Sequence, residues 1–197
     1  MTEQLTAERV LDTAEDVLRR YGPAKATVVD VARALGVSHG TVYRHFGTKA
    51  ALREAVAERW LRRTSVPMAA LADDPALPAP ERLRHWVRTL HATKRRYATE
   101  DPELQRTFRA LVAETTDVVT AHENELAAQL GRIVAAGVAA GDFAAPDPAA
   151  AGRTVFLATA RFHHPAHAAD WTSPGNEADL DAVVDLLLAG LAGPAPR

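Results

Sequence analysis

The sequence predicts an all-α fold, with a short N-terminal helix-turn-helix unit followed by a larger helical domain. Three observations carry this. Alanine, the strongest helix former, supplies 41 of the 197 residues. Apolar residues recur at three- and four-residue spacing along most of the chain, whereas valines seldom alternate with polar residues as a half-buried strand requires. Ser, Thr or Asp stands before most of these periodic runs, and Gly or Pro stands after many of them.

The first helix is read from about Thr6 to Tyr21, with Val10, Ala14, Val17, Leu18 and Tyr21 on one face, and Gly22-Pro23 stops it. Thr27 to Asp30 reads as a capping box with Asp in the place of the commoner Glu or Gln. A short second helix follows with Val28, Val31, Ala32 and Leu35 inward, and Gly36 breaks it. Ser38 caps a third helix, about His39 to Phe46, and Gly47 ends it. Thr48 caps a fourth, about Lys49 to Thr64. Residues 65–80 contain Pro67, Pro75, Pro78 and Pro80 and read as a connection.

Beyond it, a helix from about Glu81 to Tyr97 carries Leu83, Trp86, Val87 and Leu90 on a stripe. Asp101-Pro102 starts the next helical stretch, which runs to about Gly141 with a break near Glu114 to Asp117. Asp147-Pro148 starts a helix to about His163. Residues 164–176 read as a polar loop, and a last helix runs from about Glu177 to Leu191. The tail from Gly193 reads as frayed. Residues 1–50 therefore form the helix-turn-helix domain, with a connecting helix to about residue 64, and residues 65–197 form the second domain.

Composition narrows the function. The chain has no cysteine, which excludes disulfides, thiolate metal sites and cysteine nucleophiles. No run of 18 apolar residues spans a membrane, and no signal-peptide core follows Met1, so a cytoplasmic protein without membrane partners is expected. The formal net charge is only −2, but it is unevenly spread. Residues 19–63 hold ten basic and three acidic side chains, a local net of +7 that leaves −9 for the remainder. A basic segment on an acidic body points to a polyanion as partner of that segment.

Within that segment, two short helices joined by Leu35-Gly36-Val37-Ser38 have helix-turn-helix spacing. Val42 and Phe46, four apart, anchor the second helix inward. Thr41, Arg44 and His45 then face out, with His39, Gly40 and Tyr43 at the edges. Thr can meet a thymine methyl or donate a hydrogen bond, and Arg can pair bidentately with guanine. Gly40 allows close approach, and Tyr43 and Lys49 can reach phosphates. The N-terminal amides of the following helix add partial positive charge.

At these residues the chain resembles the TetR family of transcriptional regulators. The resemblance rests on the first helix ending at Tyr21-Gly22, on Thr27-Val28-Val29-Asp30-Val31-Ala32, on Leu35-Gly36-Val37-Ser38, and on Thr41-Val42-Tyr43-Arg44-His45-Phe46 followed by Lys49 and Leu52. It covers about residues 7–60. It implies a helix-turn-helix DNA-binding domain plus a C-terminal helical ligand-binding and dimerisation domain. It also implies a homodimer on a palindromic double-stranded operator, released by a small-molecule effector, with no cofactor and no enzymatic activity. Thr27, Tyr43 and Lys49 match positions that contact phosphate, whereas Ser38, His39, Gly40, Thr41 and His45 lie at or near the groove. Arg44 falls on a variable position, and its base contact is read from chemistry alone.

The same resemblance places an effector chamber among the helices between residues 81 and 163. Its candidate apolar walls are Trp60, Trp86, Leu90, Phe108, Val112, Val119 and Phe156, and its polar candidates are His91, Arg109, Thr116, His122 and Thr159. Val155, Ala160, Leu180, Val183, Val184, Leu187, Leu188 and Leu191 are the expected dimer interface. Repression is the expected direction, with activation open. A second reading rests on His163, His164 and His167, imidazoles that could serve a metal-binding or enzymatic helical protein. Pro165 between them and the lack of a neighbouring carboxylate argue against a shared ligand face, so no metal is expected.

Overall fold

The computed structural model describes residues 5–100 and 102–193, and every regular element among them is helical. The helices are α1 (Ala7–Tyr21), α2 (Val28–Leu35), α3 (His39–Phe46), α4 (Lys49–Ala72), α5 (Ala79–Glu100), α6 (Pro102–Val112), α7 (Thr116–Ala140), α8 (Pro148–Ala158) and α9 (Asn176–Ala192). Two 3-10 segments, Ala160–Phe162 and Pro165–Asp170, lie between α8 and α9. The Asp101 cap, the N-terminal residues 1–4 and the tail beyond Gly193 lie outside the described residues. No described helix is long and apolar enough to cross a membrane.

The chain divides into two compact units, residues 1–61 with 101–120, and residues 62–100 with 121–197. A division at residue 64 misses that α6 and the start of α7 group with the first unit. Such grouping depends on contacts between residues far apart in sequence, which local periodicity does not report.

In the first unit, Val10, Val17, Val31, Val42 and Val56 meet in one core. Arg59 on α4 bonds the Glu8 carbonyl of α1 (3.3 Å) and pairs with Asp12 and with Glu15 (3.3 Å). Arg53 pairs with Glu114 at 2.8 Å. These contacts hold the framework on which α2 and α3 are mounted.

In the second unit, Leu83, Trp86, Leu90, Ile133, Phe156 and Leu180 belong to another core. The Trp86 indole N–H donates to the Met68 carbonyl and to Gln129 Oε1, both at 3.1 Å. The Gln129 amide donates in turn to the Ser65 carbonyl at 2.9 Å, so this buried polar network is satisfied. Three ion pairs, Arg84–Asp185, Arg88–Asp181 and Arg95–Glu177, join α5 to α9. Helices α7 and α8 approach most closely at Gly131 and Gly152. A Cβ built on Gly152 would sit 2.2 Å from the Gly131 nitrogen.

Two boundaries differ from expectation. Helix α4 runs through Pro67 to Ala72 rather than ending near Thr64. An interior proline costs about 3 kcal/mol. Continuing the helix buries Met68 and Ala72 in the core, which offsets most of that at about 2–3 kcal/mol for a side chain of Met size. Helix α8 ends at Ala158 instead of near His163. The Thr159 hydroxyl donates back to the Val155 and Phe156 carbonyls, a local bond that competes with continuation of the helix. The supposed loop 164–176 opens with the second 3-10 segment, begun by Pro165 and capped by His164.

Candidate nucleic-acid interface

The turn and the third helix take their form from short-range signals. Thr27 and Asp30 complete a reciprocal capping box: the Thr27 oxygen accepts from the Asp30 N–H (3.2 Å), and Asp30 Oδ2 accepts from the Thr27 N–H (3.1 Å). The Thr27 hydroxyl also donates to Asp30 Oδ2 at 2.6 Å. This bond is the leading cause holding the Asp30 carboxyl below its ordinary range, with Arg33 adding to it. The Thr27 side chain is thus committed to its own helix. What α2 offers an anion at this end is the free N–H groups of its first turn. Gly36, at φ 68°, adopts the left-handed conformation that ends α2 and sets the turn.

Helix α3 is held by Val42, which is 1% exposed, and by half-buried Phe46. Ser38, His39, Gly40, Tyr43, Arg44, His45 and Lys49 are exposed, and Thr41 is half-buried. Ser38, Thr41 and Arg44 form a polar chain. Ser38 Oγ caps the helix by accepting from the Thr41 N–H (3.2 Å), the two hydroxyls lie 3.0 Å apart, and Arg44 Nη2 donates to Thr41 Oγ1 at 3.2 Å. One of the two hydroxyl protons joins the pair and the other remains to donate outward. His39 meets Tyr43 edge-on at 6.4 Å. Thr48 Oγ1 accepts from the Ala51 N–H (3.0 Å) and caps α4 beside exposed Lys49. The first unit therefore presents hydroxyl, guanidinium, imidazole, phenol and ammonium groups from one short helix and its flank, on a rigid apolar base. That array suits base edges and phosphates.

The family models match both parts of the chain. Residues 10–56 match the model described as bacterial regulatory proteins, tetR family. Residues 79–184 match the model described as tetracyclin repressor-like, C-terminal domain. The chain belongs to the TetR family. It is a helix-turn-helix transcriptional regulator of that family. An uncharacterized HTH-type transcriptional regulator of Mycobacterium tuberculosis is 33% identical over 91 residues, 46% of this chain and 45% of that protein. The chain thus spans under half the length of that curated relative. A TetR-family regulator from Pectobacterium atrosepticum shares the fold, with a TM-score of 0.65 and 24% identity over 98% of this chain and all of the other. The structure of BioQ with its double-stranded DNA operator gives a TM-score of 0.53 at 26% identity, covering 94% of this chain and 99% of that one.

The expected chamber residues of this TetR-family chain are divided between the units. Phe108, Arg109, Val112, Thr116 and Val119 fall in the first. There Phe108 stacks on Trp60 at 4.8 Å, and Arg109 and Thr116 are exposed. Trp86, Leu90, His91, His122, Phe156 and Thr159 fall in the second. Trp86 and Leu90 are core residues, and the Thr159 hydroxyl is spent on its own helix.

His91 and Phe156, by contrast, belong to a cluster. His91 donates through Nδ1 to the Phe162 carbonyl at 2.8 Å, and His163 donates through Nε2 to the Phe156 carbonyl at 3.1 Å. Phe156 stacks on His163 at 4.5 Å, and Phe162 meets His91 edge-on at 6.2 Å. The Nε2 atoms of His91 and His122 are buried without a hydrogen-bond partner. Burial, with Lys94 and His163 nearby, pulls His122 down to about 3. Burial likewise takes His163 to about 4, with Lys94, His164 and His91 adding to it. Lys94 is lowered to about 8 by burial, against the pull of Glu123. Lys94 and His163 were missed as partners of the chamber residues. The signal for Lys94 was its position three after His91 on one helix face.

His163, His164 and His167 do not converge. His163 is buried while the other two are exposed, and no group of three His, Asp or Glu side chains among the described residues is arranged to hold a metal. The residues expected at a dimer interface also take part in the packing of their own unit. Val155, Leu180 and Val184 are buried in their own core, Val183, Leu187, Leu188 and Leu191 pack against it half-buried, and Ala160 is half-buried. An i, i+3, i+4 stripe marks the face a helix turns to its own core before it marks anything else. On α8 and α9 the large apolar side chains left exposed are Leu157, 58%, and Leu186, 74%; elsewhere in the second unit Val66 and Val138 are exposed too.

Proposed function

We propose that the chain represses transcription by binding, as a homodimer, an inverted-repeat operator through α3, and that a small molecule bound in the second unit releases it. The observation that carries the DNA reading is the exposed polar face of α3 on its Val42 anchor, flanked by Lys49 and by the first turns of α2 and α4. Arg44, Thr41 and His45 read base edges. Ser38, His39 and Gly40 lie where the helix enters the groove. Tyr43, Lys49 and the amides after Thr27 hold phosphates. Two copies related by a two-fold axis would place two α3 helices roughly 34–36 Å apart, one turn of DNA. Leu157 and Leu186, with the half-buried edge of Val183 and Leu187, supply the apolar material for joining the copies.

The test is selection of bound sequences from a random duplex library, with a triple variant Thr41→Ala, Tyr43→Ala, Arg44→Ala alongside. Enrichment of one palindrome by the natural chain alone is the expected result. Absence of enrichment at low salt by a folded chain overturns the reading. The enriched duplex then serves to screen effectors, whose binding must favour the DNA-free state by differential affinity.

A further inference from the structure

We propose that the basic cluster where α5, α7 and the 3-10 turn after α8 meet, made by buried His91 and His163 with half-buried Lys94 and His122, seats the acid group of a small apolar monocarboxylic acid. The inference rests on the reading that the second unit takes an effector, and it names the chemistry of that effector.

Geometry sets what the cluster lacks. The Phe162 carbonyl can only accept, so the His91 proton is on Nδ1 and its Nε2, on the far corner of the ring, carries a lone pair. His91 is 4% exposed, and that nitrogen has no donor facing it. His122 Nε2 is likewise buried without a hydrogen-bond partner. His163 is locked in the opposite tautomer by the Phe156 carbonyl, which leaves its Nδ1 as a further acceptor. An unsatisfied buried polar atom carries a standing desolvation cost. The cluster also holds an ammonium, Lys94, which forms no ion pair within 4 Å among the described residues; Glu123 acts on it only at longer range. Its lowered affinity for protons is what an ammonium shows when burial is not matched by a close counter-charge.

A carboxylic acid supplies both missing elements. One oxygen pairs with the Lys94 ammonium, and the acid proton is shared with or passed to an imidazole Nε2. No other atom changes hands, and the guest brings no net charge into the interior. A phosphate would need more cationic donors than one ammonium, and the cluster contains no guanidinium. A neutral ester brings no proton. The rings of Phe156 and Phe162, held against His163 and His91, are the apolar surface next to these groups and suit an apolar remainder.

The probes are sodium benzoate and sodium octanoate, each beside its methyl ester and primary amide, titrated calorimetrically into the full-length chain. The expected result is carboxylate binding at least tenfold tighter than ester or amide. Lys94→Met should reduce carboxylate affinity at least tenfold and leave the ester unchanged. Glu123→Gln, which removes the opposing charge, should tighten carboxylate binding severalfold and keeps the test open should Lys94→Met fail to fold. No carboxylate binding at millimolar concentration, equal binding of the neutral isosteres, or indifference to both substitutions overturns the proposal. Operator release is measured separately. A carboxylate that binds without releasing the selected duplex supports the site and counts against the effector reading. A neutral compound that binds the second unit and releases DNA supports the effector reading and overturns the acid assignment.

Discussion

Replacing Gly152 by alanine should separate α7 from α8, while the same change at Gly131, on the other side of that contact, should not. The new methyl at 152 would lie 2.2 Å from the Gly131 nitrogen, 2.5 Å from its Cα and 2.8 Å from the Leu130 carbonyl carbon. Non-bonded heavy atoms settle near 3.5 Å, so the shortfall is about 1.3 Å. All three neighbours are backbone and cannot swing aside. The helices must part by about 1 Å, and a gap of that size forfeits a quarter to a half of each dispersion contact it opens. Overpacking of this kind costs about 3 kcal/mol. Gly→Ala in a helix returns about 1 kcal/mol, leaving a net loss of about 2 kcal/mol. At Gly131 a Cβ would rest 3.4 Å from the Ala149 Cα, an ordinary contact, so the helix gain of up to about 1 kcal/mol should survive. Urea unfolding followed by tryptophan fluorescence in a Trp60→Phe background reads only Trp86 and Trp171, both in the second unit. A lowered midpoint for Gly152→Ala with an equal or raised one for Gly131→Ala is expected. Equal midpoints for the two variants would refute the close-approach argument.

Thr27→Ala should destabilise the first unit by about 1 kcal/mol through loss of the cap, seen as a lower thermal midpoint, with Thr27→Ser near the natural chain. Arg44→Ala should relax base preference at one position of each selected half-site, whereas Lys49→Ala should weaken all duplexes alike and reduce the salt slope by about 1 per protomer. His163 is held neutral at about 4 in the fold and takes up its proton near 6.5 when unfolded. Its contribution is therefore complete above pH 6.5 and lost as pH falls toward 4. By pH 5 this amounts to about 2 kcal/mol, and His163→Gln should flatten the pH dependence of the urea midpoint across that window. Asp181, lowered chiefly by its bond to Arg88, should add a loss at lower pH still, below the ordinary carboxylate range, and Arg88→Gln should remove it.

Much of the first unit was legible because its signals act over three or four residues. The Thr27–Asp30 box, the Ser38 and Thr48 caps, and the stops at Gly22, Gly36 and Gly47 appear where the residue types place them. The outward strip of α3 follows from a single buried anchor, Val42. What was not legible depends on distant partners. Pro67 reads as a breaker until Met68 and Ala72 are seen to be buried beyond it. Trp86 reads as a chamber wall until Gln129, 43 residues away, accepts its N–H. The α9 stripe turns Leu180 and Val184 to its own core, a placement that periodicity alone does not report, since it marks a face as apolar and not which surface covers it. The imidazole tautomers at His91 and His163 are set by carbonyls of another element or another turn, which no local pattern encodes.

All three arginines that join α5 to α9 sit on α5, and all three carboxylates sit on α9. Exposed pairs of this kind add little to stability, yet their sorting by helix tells the collapsing chain where α9 belongs. Its apolar stripe would adhere to several greasy faces almost equally well. Its acidic edge, Glu177, Asp181 and Asp185, finds Arg95, Arg88 and Arg84 in turn along α5, which runs the opposite way. The ladder thus works as a postal address, sending the last helix of the chain home to its own α5.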